Sequence, residues 1–142
     1  MKSEGGFTLI EIMVVLVIIG ALVAIVSVRV IDRLGEAEVK TTKIQISQLE
    51  TALKQFRLDN GFYPETQHTL QALIAPPNTG RPIRRYPEGG YLEGGRVPQD
   101  AWGNDFLYIG PDQTQNGSYE IISPGPDGVY PSDDDISNLS VE

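Results

Sequence analysis

The first part of the chain is dominated by one long apolar segment. Residues 12–28 form a run of 17 residues without a charged side chain, and residues 7–10 extend the run on the other side of Glu11. About 17 apolar residues are the shortest length that crosses a membrane as a helix. A buried helix of a globular protein is one alternative, but 142 residues are too few to surround a helix that is apolar on every side. The run therefore predicts a membrane-spanning helix.

A secretory signal peptide is the other alternative for this apolar segment. Such a peptide ends in a small-residue cleavage site of the Ala-x-Ala type. No site of this type follows the run, which instead continues through Arg29 into an amphipathic pattern. The pattern favours a helix that is retained.

The amphipathic part that follows predicts a helix with one apolar face. Its apolar positions, spaced three and four residues apart, are Ile46, Leu49, Leu53 and Phe56. Asn60 and Gly61 both tolerate the left-handed conformation that ends a helix, and Pro64 prevents the helix from resuming. The expectation is one continuous helix over residues 7–60, apolar all round in residues 7–28 and on one face in residues 29–60.

The rest of the chain, residues 61–142, predicts a small globular part of a different kind. Residues 66–75 are expected to form a short helix that ends at two prolines. Residues 106–109 and 118–122 are β-prone runs between Gly, Pro and Asn turns. A short antiparallel sheet needs an apolar partner, and the helix stripe supplies one. The predicted fold class is α+β, with a long N-terminal helix packed on a small antiparallel sheet.

Composition and charge exclude several function classes. The net charge is -8, which excludes a basic nucleic-acid-binding surface. The chain has no Cys and a single His, so thiolate metal sites, Cys nucleophiles and His-rich sites are absent from the sequence. No Ser-His-Asp set and no Gly-rich phosphate loop are present. A small basic cluster at Arg81, Arg84 and Arg85 is more typical of a solvated surface than of a phosphate site. The sequence predicts no enzyme.

An acidic segment near the C-terminus is the main candidate for a metal site. Five side chains with oxygen atoms crowd nine positions: Asp127, Ser132, Asp133, Asp134 and Asp135. Ca²⁺ takes six to eight oxygen ligands, including backbone carbonyls, which a Gly/Pro turn presents. The spacing does not match an EF-hand, and from spacing alone a solvated acidic loop is favoured over a Ca²⁺ site.

Glu11 is a charged residue inside the apolar run. A charge in the centre of a membrane helix costs about 2.5–3.5 kcal/mol, and less near its end. Two interpretations stay open from the residues alone: a flanking charge that reaches the lipid headgroups, or a carboxylate that pairs with a cation.

The N-terminal segment GGFTLIEIMVVLVIIGALVAI resembles the signal of type IV pilins and type II secretion pseudopilins. The resemblance implies that a prepilin peptidase removes residues 1–6 as a leader by cutting between Gly6 and Phe7. The same enzyme would methylate the amine of Phe7, and Glu11 would be the fifth residue of the mature chain. A methylated amine is also a cationic partner for the Glu11 carboxylate, in a neighbouring subunit or in the same chain.

The segments DAWGNDF and SPGPDGVYPSDDDISN, with the lack of Cys, resemble the major pseudopilins of the type II secretion system. This resemblance implies a Ca²⁺ site in the acidic loop. By position, the implied ligands are the side chains of Asp127, Ser132, Asp134 and Asp135 and the main-chain oxygens of Pro124 and Val129. Pro124 stands where the family has Leu, and Asp133 stands where a neutral residue is common.

The function that the resemblance implies is that of a major pseudopilin. Such a subunit is held in the bacterial inner membrane by a single helix, with its globular part in the periplasm. It polymerises into a helical filament, the pseudopilus, which moves folded substrates through an outer-membrane channel. The implied partners are further copies of the chain, minor pseudopilins, the inner-membrane platform and ATPase, the prepilin peptidase and the lipid bilayer. The alternatives are a Cys-free type IV pilin of a surface fibre and a single-pass anchored Ca²⁺-binding module.

Overall fold

The structure is a computed structural model that describes residues 6–140, except for the side chains of residues 26–32. The predicted leader, apart from its last residue, lies outside the described residues. The chain divides into two compact units, residues 1–37 and residues 38–142. Helix α1 supplies the first unit and the beginning of the second.

Helix α1 comprises Leu9–Asn60, so the predicted long helix and its end are confirmed. No proline interrupts these 52 residues. At the end of the helix, the Asn60 side-chain amide donates to the carbonyl of Phe56 at 3.1 Å, and Gly61 takes a φ of +86°. A positive φ is accessible to Gly without steric cost, which is why the helix stops there.

The helical part of the first unit has an uncovered apolar surface. Every residue from Gly6 to Ile25 is exposed, including Phe7 at 79% and Leu9 at 80%. Among the described residues, no helix combines the length and the apolarity needed to cross a membrane. Residues 26–28, the end of the predicted membrane segment, are among those whose side chains are not described, and the membrane segment remains a prediction.

The second unit contains a three-stranded antiparallel sheet. Its strands are β1 at Leu107–Ile109, β2 at Glu120–Ser123 and β3 at Ile136–Ser137, in the order β1-β2-β3. Strand β3 pairs with the end of β2, where Ser123 lies opposite Ile136. The acidic segment is therefore the connection between two paired strands.

The core of the second unit forms between the apolar face of α1 and one face of the sheet. The side chains of this core are Ile46, Leu49, Ala52, Leu53 and Phe56 from α1, Leu70, Ala72 and Leu73 from the next segment, Tyr108 and Ile121 from β1 and β2, and Phe106 and Tyr119 just before these strands. Burying one large apolar side chain contributes roughly 1.5–3 kcal/mol. The predicted packing of the helix stripe on the sheet, and with it the α+β class, is confirmed.

One prediction about the second unit is wrong, and one strand was not predicted. The expected helix over residues 66–75 is instead two short 3₁₀ turns, Thr66–His68 and Leu70–Leu73. Thr69 separates them with a φ of 52°, and its hydroxyl accepts from the amide of Gln71 at 3.2 Å. Strand β3 was not expected, because two residues beside an acidic run carry no strand periodicity of their own.

Candidate functional site

All six implied calcium ligands lie in the connection between β2 and β3. Within it, Ser132 joins two of them: its hydroxyl lies 2.6 Å from Asp134 Oδ1 and 3.3 Å from Asp135 Oδ1. The Ser132 amide also donates to Asp135 Oδ2 at 2.8 Å. The hydrogen bond from Ser132 lowers the pKa of Asp134, so this carboxylate stays ionised at neutral pH. The structure thus brings these three predicted residues together.

Asp127 is placed beside this cluster by its backbone. Its amide donates to Asp134 Oδ2 at 3.2 Å, while its own Oδ1 accepts from the amide of Val129 at 2.8 Å. Pro124 is buried and Val129 is exposed in the same loop, and the role of their carbonyl oxygens stays a prediction. Asp133 is exposed.

The oxygen atoms of this loop fit Ca²⁺ by type. Carboxylate and hydroxyl oxygens are the ligands that Ca²⁺ prefers. Among the described residues, no group of three or more His, Cys, Asp or Glu side chains is arranged to hold a metal ion. The carboxylate oxygens of Asp134 and Asp135 accept hydrogen bonds from Ser132 and from the amide of Asp127.

The two ends of the acidic loop meet at Gly125. A Cβ atom on this residue would lie 2.5 Å from the carbonyl oxygen and 2.9 Å from the Oδ2 atom of Asp134. Gly125 also has a φ of +69°, which side chains disfavour. Only glycine permits this close approach, which holds Asp134 against the start of the loop.

A buried carboxylate that the sequence analysis missed anchors the loop. Asp100 is 5% exposed, and its Oδ1 accepts from the amides of Trp102 at 3.0 Å and Asn104 at 2.7 Å. Its Oδ2 accepts from the hydroxyl of Ser123 at 2.6 Å, and the Asn104 amide group donates to the carbonyl of Gly125 at 2.8 Å. The turn after Asp100 is therefore tied to the beginning of the acidic loop. An Asp followed by Gly and Asn signals a turn of this kind, but not its distant partner.

The same turn contacts helix α1. The indole nitrogen of Trp102 donates to Glu38 Oε2 at 2.9 Å, and the amide of Ala101 donates to the hydroxyl of Thr42 at 3.2 Å. Thr42 is completely buried. The acidic loop is thus connected through residues 100–104 to the helix that packs beneath the sheet.

The start of α1 gives Glu11 a local partner that the sequence analysis did not foresee. The Glu11 amide lies 3.3 Å from the hydroxyl of Thr8, and the Thr8 amide lies 3.4 Å from Glu11 Oε2. This reciprocal pair is a capping box, in which a Thr and a Glu three residues later satisfy the free amides at a helix start. The Ser/Thr-x-x-Glu pattern at Thr8 and Glu11 predicts such a capping box from the sequence. Gly6 and Phe7 are both exposed just before this cap.

The chain matches a family model along most of its length. The model of the type II secretion system protein G family matches residues 29–140, and that of the prokaryotic N-terminal methylation motif matches residues 1–27.

Known relatives agree with these matches. The chain is 43% identical over 141 residues to the type II secretion system core protein G of Klebsiella pneumoniae, covering 99% of this chain and 98% of the relative. It is 39% identical over 136 residues to the protein of the same name from Escherichia coli strain K12, covering 96% of this chain and 91% of the relative.

A solved structure shows the same fold. The crystal structure of the major pseudopilin from the type 2 secretion system of enterohaemorrhagic Escherichia coli superposes with a TM-score of 0.67 at 37% identity, covering 78% of this chain and 94% of that chain. These similarities favour the pseudopilin interpretation over a surface-fibre pilin or an anchored Ca²⁺-binding module. The chain belongs to the type II secretion system protein G family, and its fold is that of a major pseudopilin.

Proposed function

We propose that this chain is the major subunit of the periplasmic pseudopilus that drives type II protein secretion. The observation that carries the proposal is the uncovered apolar surface from Phe7 to Ile25. Removing apolar surface from water is favourable by roughly 25 cal/mol per Å². An exposed apolar surface of this extent is therefore expected to be covered by lipid or by other protein. In a pseudopilus subunit the lipid bilayer covers this surface before assembly, and the helices of further copies cover it in the filament.

The protein has a structural role in this proposal and performs no catalysis. A prepilin peptidase cuts between Gly6 and Phe7 on the cytoplasmic side and methylates the new amine. Residues 7–28 then hold the subunit in the inner membrane, with the second unit in the periplasm. Minor pseudopilins, the platform protein and the ATPase are separate chains that start and drive the assembly.

Glu11 has two hydrogen-bonding roles in the processed subunit. Its carboxylate lies 3.4 Å from the amide of Thr8, the residue that directly follows Phe7. Cleavage creates a charged amine one residue earlier, close to a carboxylate that already caps the helix. In the filament the same carboxylate pairs with this amine, from its own chain or from a neighbouring copy, which removes most of the cost of a lone charge in apolar surroundings.

The test of the assembly role is the Glu11→Ala variant expressed with the other secretion components. We expect processed protein in the membrane but few filaments and little secretion. Glu36→Ala is the matched control, because Glu36 is an exposed carboxylate on the same helix. Normal filaments and secretion from Glu11→Ala would refute the pairing.

We also propose that the acidic loop binds Ca²⁺ through Asp127, Ser132, Asp134 and Asp135. Support comes from the clustering of Ser132 with two carboxylates, and from the tie between Asp127 and Asp134. A bound cation would neutralise carboxylates that repel one another and would close the loop between β2 and β3. Because the hydroxyl of Ser132 now donates to Asp134 Oδ1, binding requires this hydrogen bond to give way to the metal.

Thermal unfolding tests the calcium proposal. Residues 38–142 form a compact unit with its own core, so a truncated protein beginning at Arg29 is suitable. We expect a higher melting temperature in Ca²⁺ than in chelator, since a ligand at a hundredfold excess over its Kd stabilises by about 2.7 kcal/mol. Mg²⁺ should substitute poorly, because it demands tighter octahedral geometry.

Variants of the loop complete this test. Asp127→Ala and Asp134→Ala should each abolish the Ca²⁺-dependent shift, whereas Asp112→Ala, outside the loop, should keep it. Superimposable curves with Ca²⁺ and chelator would show that the segment is only a solvated loop, and would leave the proposed filament role intact.

A further inference from the structure

The chain contains two Asn-Gly sequences, and the structure gives them opposite surroundings. Asn60-Gly61 lies at the end of α1, and Asn116-Gly117 lies in a turn of the connection between β1 and β2. In an Asn-Gly sequence the main-chain amide of Gly can attack the Asn side chain, because Gly has no Cβ to block the approach. The surroundings of each pair decide whether this intramolecular reaction is open to it.

The first pair is held in an arrangement that prevents the reaction. Asn60 is 2% exposed, and its side-chain oxygen accepts from the main-chain amides of Arg84 at 2.9 Å and Arg85 at 3.2 Å. Its side-chain nitrogen is hydrogen-bonded as well. The Gly61 amide, which would be the attacking group, donates to the carbonyl of Arg57 at 2.7 Å. Both reacting groups are occupied, so this pair is protected unless the end of the helix opens.

The second pair has none of these restraints. Asn116 and Gly117 are both exposed, and neither forms a hydrogen bond within the described part of the chain. Apart from the chain neighbours of Gly117, no atom of that part lies within 4 Å of the point where a Cβ on this residue would be. A 2.6 Å hydrogen bond from the Thr114 hydroxyl to the Ser118 carbonyl closes the turn on either side of the pair. The pair therefore lies at an exposed turn with both reacting groups unoccupied.

A third asparagine separates the effect of exposure from that of the following residue. Asn78 is also exposed and also lacks a hydrogen bond within the residues that the structure describes, but Thr79 follows it. The branched Cβ of Thr79 crowds its own amide. The Thr79 hydroxyl also lies 3.2 Å from His68 Nε2, which ties this side chain to a neighbouring turn. Asn78 thus has the exposure of Asn116 without its unhindered attacking amide.

We propose that Asn116 is a modification site at which the chain deamidates spontaneously, with water as the co-reactant. The Gly117 amide nitrogen attacks Cγ of Asn116, a C–N bond forms, and the Cγ–Nδ2 bond breaks. The side-chain nitrogen leaves as ammonia and takes up the proton that the Gly117 amide gives up. The product is a succinimide ring, and no oxidant or reductant is needed. The proposal does not depend on the proposed function.

Water then opens the ring at either of its two carbonyl carbons. Attack at Cγ breaks the new C–N bond and leaves an ordinary aspartate. Attack at the main-chain carbonyl carbon leaves an isoaspartate, whose main chain runs through Cβ and Cγ and is one methylene longer. Either product adds a carboxylate to the β1–β2 connection of a chain whose net charge is already -8. Because no enzyme takes part, the modified fraction grows with the age of a copy.

Peptide mapping of the full chain, purified in detergent, tests the assignment. The folded protein is incubated in ¹⁸O-labelled water, digested in ordinary water and analysed by mass spectrometry. The peptide that contains Asn116 should show the mass of a deamidation with one ¹⁸O atom, and it should separate into aspartate and isoaspartate forms. The label distinguishes conversion during the incubation from conversion during digestion. The peptides that contain Asn60 and Asn78 are internal controls and should keep their original masses.

Unfolding separates protection by the fold from the effect of the sequence. In concentrated urea both Asn-Gly pairs are exposed, so Asn60 should convert about as fast as Asn116. Asn78 should stay slow in urea, because Thr79 still follows it. Equal rates for Asn60 and Asn116 in the folded protein, or an unmodified Asn116 in the folded protein, would overturn the proposal.

Two variants and the product ratio check the chemistry. Gly117→Ala should slow the conversion of Asn116 severalfold, since a Cβ hinders the attacking amide. Ser118→Ala is the matched control, because it keeps the carbonyl that closes the turn, and it should leave the rate unchanged. Alanine also strains the φ of +65° at Gly117, so the parent chain supplies a second readout. The succinimide ring gives isoaspartate, whereas direct hydrolysis of the side chain gives aspartate alone. Aspartate as the single product, or an unchanged rate in Gly117→Ala, would contradict the proposed route.

Discussion

Replacing Asp100 by Asn should weaken the second unit, although the two side chains have the same shape. Asp100 is 5% exposed and accepts from Trp102, Asn104 and Ser123. In the variant, one carboxylate oxygen becomes an amino group. The amino group faces the Asn104 amide, which donates to Asp100 Oδ2 at 3.3 Å, so two donors would oppose each other.

The magnitude follows from the hydrogen bonds that change. A hydrogen bond to a charged group contributes about 1.5–3 kcal/mol, against roughly 0.5–1.5 kcal/mol for a neutral pair. The bond from Asn104 is lost, the Ser123 hydroxyl can no longer donate to the replaced oxygen, and the two bonds at Oδ1 become neutral. The lower cost of burying an amide offsets part of this loss. The net effect should be about 2 kcal/mol, which lowers the melting temperature of a domain of this size by about 10 °C.

Urea unfolding of the truncated protein measures this effect. The midpoint should fall while the slope stays constant, because the surface exposed on unfolding does not change. Asp105→Asn is the matched control: Asp105 is exposed and accepts from Gln99 at 3.0 Å, so its replacement should stay within about 0.5 kcal/mol. Equal midpoints for the two variants would show that Asp100 does not anchor the loop.

Three further predictions concern processing, acid stability and the core. Gly6→Asp should leave the leader attached, because a charged, branched side chain replaces the small residue at the cleavage site. Mass spectrometry of the membrane form would detect the attached leader, and a cleaved variant would contradict the assignment of the site. Burial raises the pKa of Asp112, but hydrogen bonds from Thr66 lower it. The net effect is a pKa below the usual value. The contribution of the Asp112 carboxylate to folding stability is therefore present above the unfolded pKa of about 3.9 and is lost as pH falls through the folded pKa. The Asp112→Asn variant should be less stable than the parent at pH 7, and its stability should fall less than that of the parent in acid. Leu53→Ala, at a completely buried position, should lower the free energy of unfolding in urea by about 2–5 kcal/mol. Leu58→Ala, at a position 78% exposed, should lower it little. Similar losses from the two variants would contradict the placement of Leu53 in the core.

The long helix, its end and the face it buries could all be predicted from the amino-acid pattern. These features depend on neighbours within a few positions: a proline-free apolar run, a three- and four-residue stripe, and an Asn-Gly stop. The processing motif is local in the same way. The fold class followed because a one-sided helix stripe and two short strands can bury their apolar faces only against each other.

The contacts that hold the acidic loop could not be predicted, because they join residues far apart in the sequence. Asp100 and Ser123 are 23 residues apart, and Trp102 and Glu38 are 64 apart, so no local pattern reports their hydrogen bonds. Strand β3 exists because β2 offers it an edge, and the pairing of Ser123 with Ile136 sets the span of the loop. Hydrogen bonds between distant residues depend on the positions of whole elements, and those positions are fixed only when the core packs.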